Sequence, residues 1–153
     1  MPSRTNTAEE PGADVDPQQQ ALAEVMGILM PVRERRTLSL DSQCREAQQR
    51  LVKLQQAIGQ AEKNCQEQVD EQQYQRSALI AEHQGQALSF DSVVQWQRRE
   101  HALLSRQAEL RLQVQRLYLE LDEQQQYVEK ARERLRASQR ALEKLACWRD
   151  ALI

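Results

Sequence analysis

The sequence predicts an all-α protein: an antiparallel two-helix coiled-coil hairpin preceded by a disordered N-terminal leader. Three observations indicate this fold class. The 153 residues are rich in Gln, Glu, Arg, Leu and Ala and include only four Gly and four Pro, a composition typical of long helices. Apolar residues recur in heptads along two segments. Between these segments, residues 85–89 have the composition of a turn.

The leader, residues 1–16, is polar and acidic and contains two Pro and one Gly, so we expect it to be disordered. Asp16 and Pro17 form a good helix start, because an aspartate caps free amides and proline suits the first helical position. We expect helix one over about 17–84. Pro31 removes an amide donor and should kink or break this helix.

Helix one carries a heptad seam beyond Pro31. Its apolar residues follow one another at alternating steps of four and three, which predicts a coiled coil of about four repeats. These residues are Leu40, Cys44, Ala47, Leu51, Leu54, Ile58, Ala61 and Cys65. The seam then becomes polar, with Gln68, Gln72 and Gln75 before Leu79.

The turn at residues 85–89 has signals for both helix ends. Gly85 suits the left-handed backbone that ends a helix, and Ser89 suits the cap of the next helix. Leu88 and Val93 are spaced for a hydrophobic staple across that cap. Asp91 in the first turn suits the positive end of the helix dipole.

Helix two, expected over about 90–152, carries a matching seam. Its apolar positions are Val93, Trp96, Leu103, Leu110, Val114, Leu117, Leu121, Val128, Ala131, Leu135, Leu142, Leu145 and Leu152. Its polar interruptions are Glu100, Gln107, Gln124, Ser138 and Arg149.

A turn centred near Leu88 makes residues face each other when their numbers sum to about 175. The facing pairs that follow include Leu54 with Leu121, Cys65 with Leu110, Gln68 with Gln107, and Gln75 with Glu100. The last two pairs are polar layers. They either fix the register or leave a soft segment that adapts to a partner, and both interpretations stay open.

No pattern of catalytic residues appears. His83 and His101 are the only histidines and have no spaced Cys or carboxylates for a metal site. There is no Gly-rich phosphate loop. We therefore expect neither an enzyme nor a cofactor. Three cysteines without paired spacing favour a reducing compartment. The absence of a secretory signal and of a long apolar run favours a cytoplasmic protein without a membrane span.

Two surface features could bind partners. The first is an excess of basic residues near both ends of the chain, which either forms an ordinary solvated face or docks an acidic protein surface. The candidate docking residues are Arg33, Arg35, Arg36, Arg132, Arg136 and Arg140. The second is a set of apolar residues outside the seam near the turn, Tyr74, Leu104 and Leu112. These are either isolated exposed residues or a partner contact.

The stretch Ala87–Leu110 resembles the export-stalk proteins of type III secretion systems, the YscO-type proteins related to flagellar FliJ. The residues that carry the resemblance are Leu88-Ser89, Asp91, Arg98-Arg99 and Arg106-Gln107. Gln43-Cys44-Arg45 and Trp148 are looser similarities.

The resemblance implies a non-catalytic stalk that is monomeric alone and inserts its two helices into the pore of a hexameric secretion ATPase. It also implies contact with an export-gate protein, placed here at Tyr74, Leu104 and Leu112, and with secretion chaperones. The location would be cytoplasmic and peripheral to the inner membrane. Two alternatives remain open. One is a generic cytosolic coiled-coil scaffold or holdase-like hairpin; the other is a nucleic-acid-binding arm, which the aromatic-poor, mixed-charge surface disfavours.

Overall fold

In the computed structural model, the chain forms two long helices that pack against each other. The structure describes residues 16–84, Ala87 and 89–152. The first helix, α1, spans Pro17–Glu82, and the second, α2, spans Phe90–Leu152. The predicted all-α hairpin is therefore confirmed.

Capping side chains start both helices. The Asp16 carboxylate accepts a hydrogen bond from the Gln18 amide at 3.0 Å, and the Asp16 carbonyl accepts one from the Gln20 amide. At α2, the Ser89 hydroxyl accepts from the Ser92 amide at 3.2 Å. The two predicted N-caps are confirmed.

Three predictions fall on residues that the structure leaves undescribed. The disorder predicted for the leader concerns residues 1–15, and only Asp16 of that segment is described. The predicted helix end at Gly85 and the Leu88 half of the staple also lie outside the described residues. All three stay predictions.

Pro31 lies inside α1, which continues through it. The break that we considered at this position is therefore absent. Proline removes the hydrogen bond to the carbonyl four residues earlier, here Gly27. Both residues are exposed, so water can hydrogen-bond the unpaired carbonyl at little cost. Buried Met26 and Met30 hold the same turns of the helix against α2.

The predicted seams form a narrow core. Every apolar seam residue named above is buried or half-buried, and Ala47 is only 1 % exposed. The buried apolar residues are small or slender: Met26, Met30, Cys44, Ala47, Ile58, Ala61, Leu110, Val128 and Ala131. Two helices cannot surround a large side chain, so the core depends on close approach of the backbones.

The chain divides into two units. The terminal unit comprises Met1–Arg45 and Lys130–Ile153, and the turn unit comprises Glu46–Glu129. In the terminal unit, the Thr37 hydroxyl donates to the Arg33 carbonyl at 2.9 Å and lies 2.7 Å from the Ser138 hydroxyl. Because a hydroxyl has one hydrogen, Ser138 donates to Thr37. The numbers 37 and 138 sum to 175, as the predicted register requires.

Within the turn unit, hydrogen bonds also join the two helices. The Gln124 amide donates to the Ala47 carbonyl at 3.0 Å. This bond enters the core beside the most buried residue of the seam. It fixes α2 against the backbone of α1 rather than against a movable side chain.

The polar layers of the turn unit differ in detail from the prediction. Gln107 is buried and donates to Gln72, one turn beyond the predicted partner Gln68. Gln75 was predicted to face Glu100; both line one groove, but each is bonded to another residue.

Gln75 is instead exposed and donates to Glu71 on its own helix at 3.0 Å. The Glu100 carboxylate pairs with Arg76. A long guanidinium reaches a carboxylate from a neighbouring helical position more readily than a glutamine does.

Candidate functional site

Among the residues that the structure describes, no group of three His, Cys, Asp or Glu could hold a metal ion. The free cysteines differ in exposure: Cys44 is buried, Cys65 half-buried and Cys147 exposed. No helix in the described part of the chain is long and apolar enough to cross a membrane.

The heptad register assigns each surface residue to a side of the hairpin. Burial places Met30 at position a and Arg33 at d in α1, with Val128 at a and Ala131 at d in α2. In an antiparallel pair, the g positions of both helices flank the seam on one side and the e positions on the other. We call these the g side, which includes the adjacent c positions, and the e side, which includes the adjacent b positions.

The structure supports this assignment in both units. One groove of the terminal unit is lined by Arg36, Arg134 and Ala141, which are all g positions of the two helices. In the turn unit, Tyr118 donates to Glu62, and both are e positions. This hydrogen bond, together with partial burial and the nearby carboxylate charge, raises the pKa of Tyr118.

Charge is segregated between the two units. The described part of the terminal unit holds eleven Lys and Arg against seven Asp and Glu, a formal charge of +4. The described part of the turn unit holds nine against thirteen, a formal charge of −4. The whole-chain charge of −2 therefore conceals two surfaces that would attract different partners.

The six arginines proposed for docking do not form one surface. Arg33 is half-buried at a d position and lines the g-side groove with Arg36. The other four are exposed. Arg132 and Arg136 fall on the e side, whereas Arg35 and Arg140 occupy the outward f positions.

Sequence reasoning did not select Arg134, although the structure places it beside Arg33 and Arg36. Three guanidinium groups thus meet at one groove, next to Leu40 and the small Ala137. The signal was available, because Arg36 and Arg134 are both g positions, and Arg134 lies at the level of Leu40 in the predicted register.

The three residues proposed for the gate contact are exposed but lie apart. Tyr74, 71 % exposed, lines a g-side groove with Ala102 and Leu103. Leu104 is an e position and Leu112 an f position. The structure therefore does not bring these three side chains together.

A second groove of the turn unit is more apolar than the first. Leu79, Ile80, Val93 and Trp96 line it, and its volume is about 440 Å³. Arg76, Leu79 and Trp96 line both grooves, so the two grooves adjoin each other. The predicted gate contact did not include Ile80, which is 64 % exposed.

Comparison with known proteins identifies no relative. No family model, curated protein or solved structure matches the chain. The resemblance of Ala87–Leu110 to the secretion stalks therefore depends on the quoted residues alone.

Proposed function

We propose that this chain is a non-catalytic central stalk of a bacterial type III secretion export apparatus, inserting into the hexameric ATPase and contacting the export gate. The fold is the observation that carries the proposal. Two long helices join at a turn where Ser89 caps α2 and Asp91 occupies its first turn. The stretch that resembles the stalk family begins at this turn.

The basic terminal unit is the proposed ATPase contact. Its described residues have a formal charge of +4, and its arginines occupy several sides of the helix pair. A stalk enclosed by a ring meets subunits on every side, so a distributed set of cations suits that role better than one patch. The complementary ring surface would be acidic.

The turn unit is the proposed gate contact. Its charge of −4 makes it a poor ligand for the same acidic surface. Tyr74, Leu104 and Leu112 offer apolar area that the seam does not use. Replacing all three with Ser should abolish gate binding and secretion while leaving ATPase binding intact. A triple variant that secretes normally, or that loses both partners, would contradict two separate contacts.

Capture from the source cells tests the proposed function. The full chain is immobilised through its C-terminus, and bound proteins are identified by mass spectrometry. We expect a hexameric ATPase to be enriched. The matched control is a Leu117→Asp chain, which places a carboxylate in the seam and should unfold the hairpin. Equal capture of the ATPase by both chains, or none by the native chain, would contradict the proposal.

A generic scaffold or holdase-like hairpin is the second candidate. The observation that favours it is the apolar surface outside the seam, where Leu119 is 68 % exposed and Leu112 is 47 % exposed. These two f positions are seven residues apart and form one row on α2. Sedimentation separates the candidates, since a stalk alone should be a monomer and a scaffold should associate through this row.

A further inference from the structure

The terminal unit exposes a row of apolar side chains that has no role in the function proposed above. Leu22 and Leu29 occupy g positions of α1, 51 % and 37 % exposed. Val25 and Val32 occupy the adjacent c positions, 51 % and 55 % exposed. All four therefore lie on the g side, next to the buried Met26 and Met30 of the seam.

Trp148 of α2 belongs to the same surface. It is a g position, is 59 % exposed, and lies near the level of Leu29 in the register that Thr37 and Ser138 define. Five large apolar side chains thus share one side of the terminal unit. Exposed apolar side chains grouped on one side and bordered by polar residues are typical of an interaction site.

The charges of the g side are of one sign. Its c and g positions in the described terminal unit include four cations, Arg36, Lys130, Arg134 and Lys144, and no Asp or Glu. The acidic residues lie elsewhere: of seven in this part of the unit, five are on the e side, including Glu24 and Glu34.

We propose that the g side of the terminal unit binds an anionic lipid surface. A row of Leu and Val beside cations, with a tryptophan at the edge, is the pattern of helices that lie in the membrane interface. The apolar side chains would enter the boundary between headgroups and acyl chains. Arg134 and Lys144 would contact the anionic headgroups.

The form of the surface favours a bilayer over a protein helix. The two grooves described in this unit are lined by residues outside the apolar row. The row therefore lies on the exposed surface of α1 and not in either groove. A bilayer accepts each side chain independently and needs no matching shape, whereas a protein helix would need a groove. The inference does not depend on the proposed stalk function; because a ring would cover the same unit, binding to lipid and insertion into the ring would be alternative states of the chain.

Vesicle binding tests the inference with the full chain. The sequence has two tryptophans, so Trp96→Phe leaves Trp148 as the only tryptophan. Large vesicles are prepared from neutral phosphatidylcholine, with or without half phosphatidylglycerol. We expect co-sedimentation with the anionic vesicles, a blue shift of Trp148 emission, and at least tenfold weaker binding to neutral vesicles. Raised salt should weaken the anionic binding.

Paired variants locate the surface. Leu22→Ser with Leu29→Ser should reduce anionic binding at least tenfold, as should Arg134→Glu with Lys144→Glu. Leu38→Ser is the apolar control, because Leu38 is 69 % exposed on the e side. Lys63→Glu in the turn unit is the charge control. Both controls should bind as the native chain does, and circular dichroism should be the same for every variant.

Three results would overturn the inference. The first is no binding to anionic vesicles. The second is binding that the controls reduce as much as the paired variants do. The third is a chain that does not bind vesicles but forms a concentration-dependent dimer, which Leu22→Ser with Leu29→Ser abolishes. That result would mean that the surface binds a second copy of the chain.

Discussion

Replacing both Gln72 and Gln107 with Leu should stabilise the hairpin by about 2 kcal/mol. These two side chains form a polar layer in a seam that is otherwise mainly apolar. Gln107 is 7 % exposed and donates to Gln72. The neighbouring seam residue Leu110 is equally buried, so the site can enclose a leucine.

The magnitude follows from two opposing terms. Burying a leucine contributes roughly 1.5–3 kcal/mol, of which the glutamine stem already contributes a part. The lost hydrogen bond costs about 1 kcal/mol. Gln107→Leu alone should be close to neutral, because it leaves the half-buried Gln72 amide without its partner, at a cost of about 1–3 kcal/mol.

Thermal and urea unfolding of the native chain, both single variants and the double variant measure these terms. The double variant should melt about 4–8 °C higher, given about 2–4 °C per kcal/mol for a chain of this size. The two single effects should sum to less than the double effect. A double variant no more stable than the native chain, or two single effects that add, would refute the assignment of a buried Gln–Gln layer.

Three further predictions concern the seam and the basic unit. Cysteines at Leu54 and Leu121, in a chain whose native cysteines are replaced by Ser, should crosslink within one chain; crosslinks formed only between chains would indicate a dimer. Leu117→Asp should lower helicity and melting temperature, because the carboxylate enters a narrow core without a partner, at several kcal/mol; an unchanged melting curve would mean that this seam is misassigned. Charge reversal in the terminal unit should weaken ATPase binding with little change in helicity, and added salt should have the same effect; binding that survives both treatments would rule out charged docking. The reversed residues are Arg33, Arg36, Arg132 and Arg136.

The apolar heptad repeat correctly predicted which residues of the two helices form the seam. Between Leu40 and Cys65 the apolar seam residues repeat without interruption, and every one of these seam residues is buried or half-buried. The cap at Ser89 was also predictable, because a serine hydroxyl just before an apolar repeat can accept a hydrogen bond from a free amide in the first turn of the helix.

Where the seam is polar, the same reasoning was less accurate. Gln72 and Arg76, rather than Gln68 and Gln75, bond to α2. The heptad pattern locates the bonding residue of α1 to within about one helical turn. Side-chain length and charge then decide which polar residue bonds to α2. Periodicity has no information on that choice.

The surfaces were predicted least well. Counting charges along the chain identified a basic region but did not show on which side of the helix pair each residue lies. The docking set therefore omitted Arg134. The apolar row Leu22–Val32 was not recognised as a surface for the same reason. Extending the register from the seam to its c and g positions would have found both. The choice of partner depends on the partner's own surface, which these patterns do not describe.

Native mass spectrometry of the chain mixed with the ATPase captured from its source cells tests the stalk proposal most directly. The proposal predicts a complex of six ATPase subunits with one copy of this chain, since a single helical pair occupies the centre of a ring. Charge reversal of the basic terminal unit should remove that species. A complex with six copies per ring, or hexamers that carry none, would contradict a central stalk.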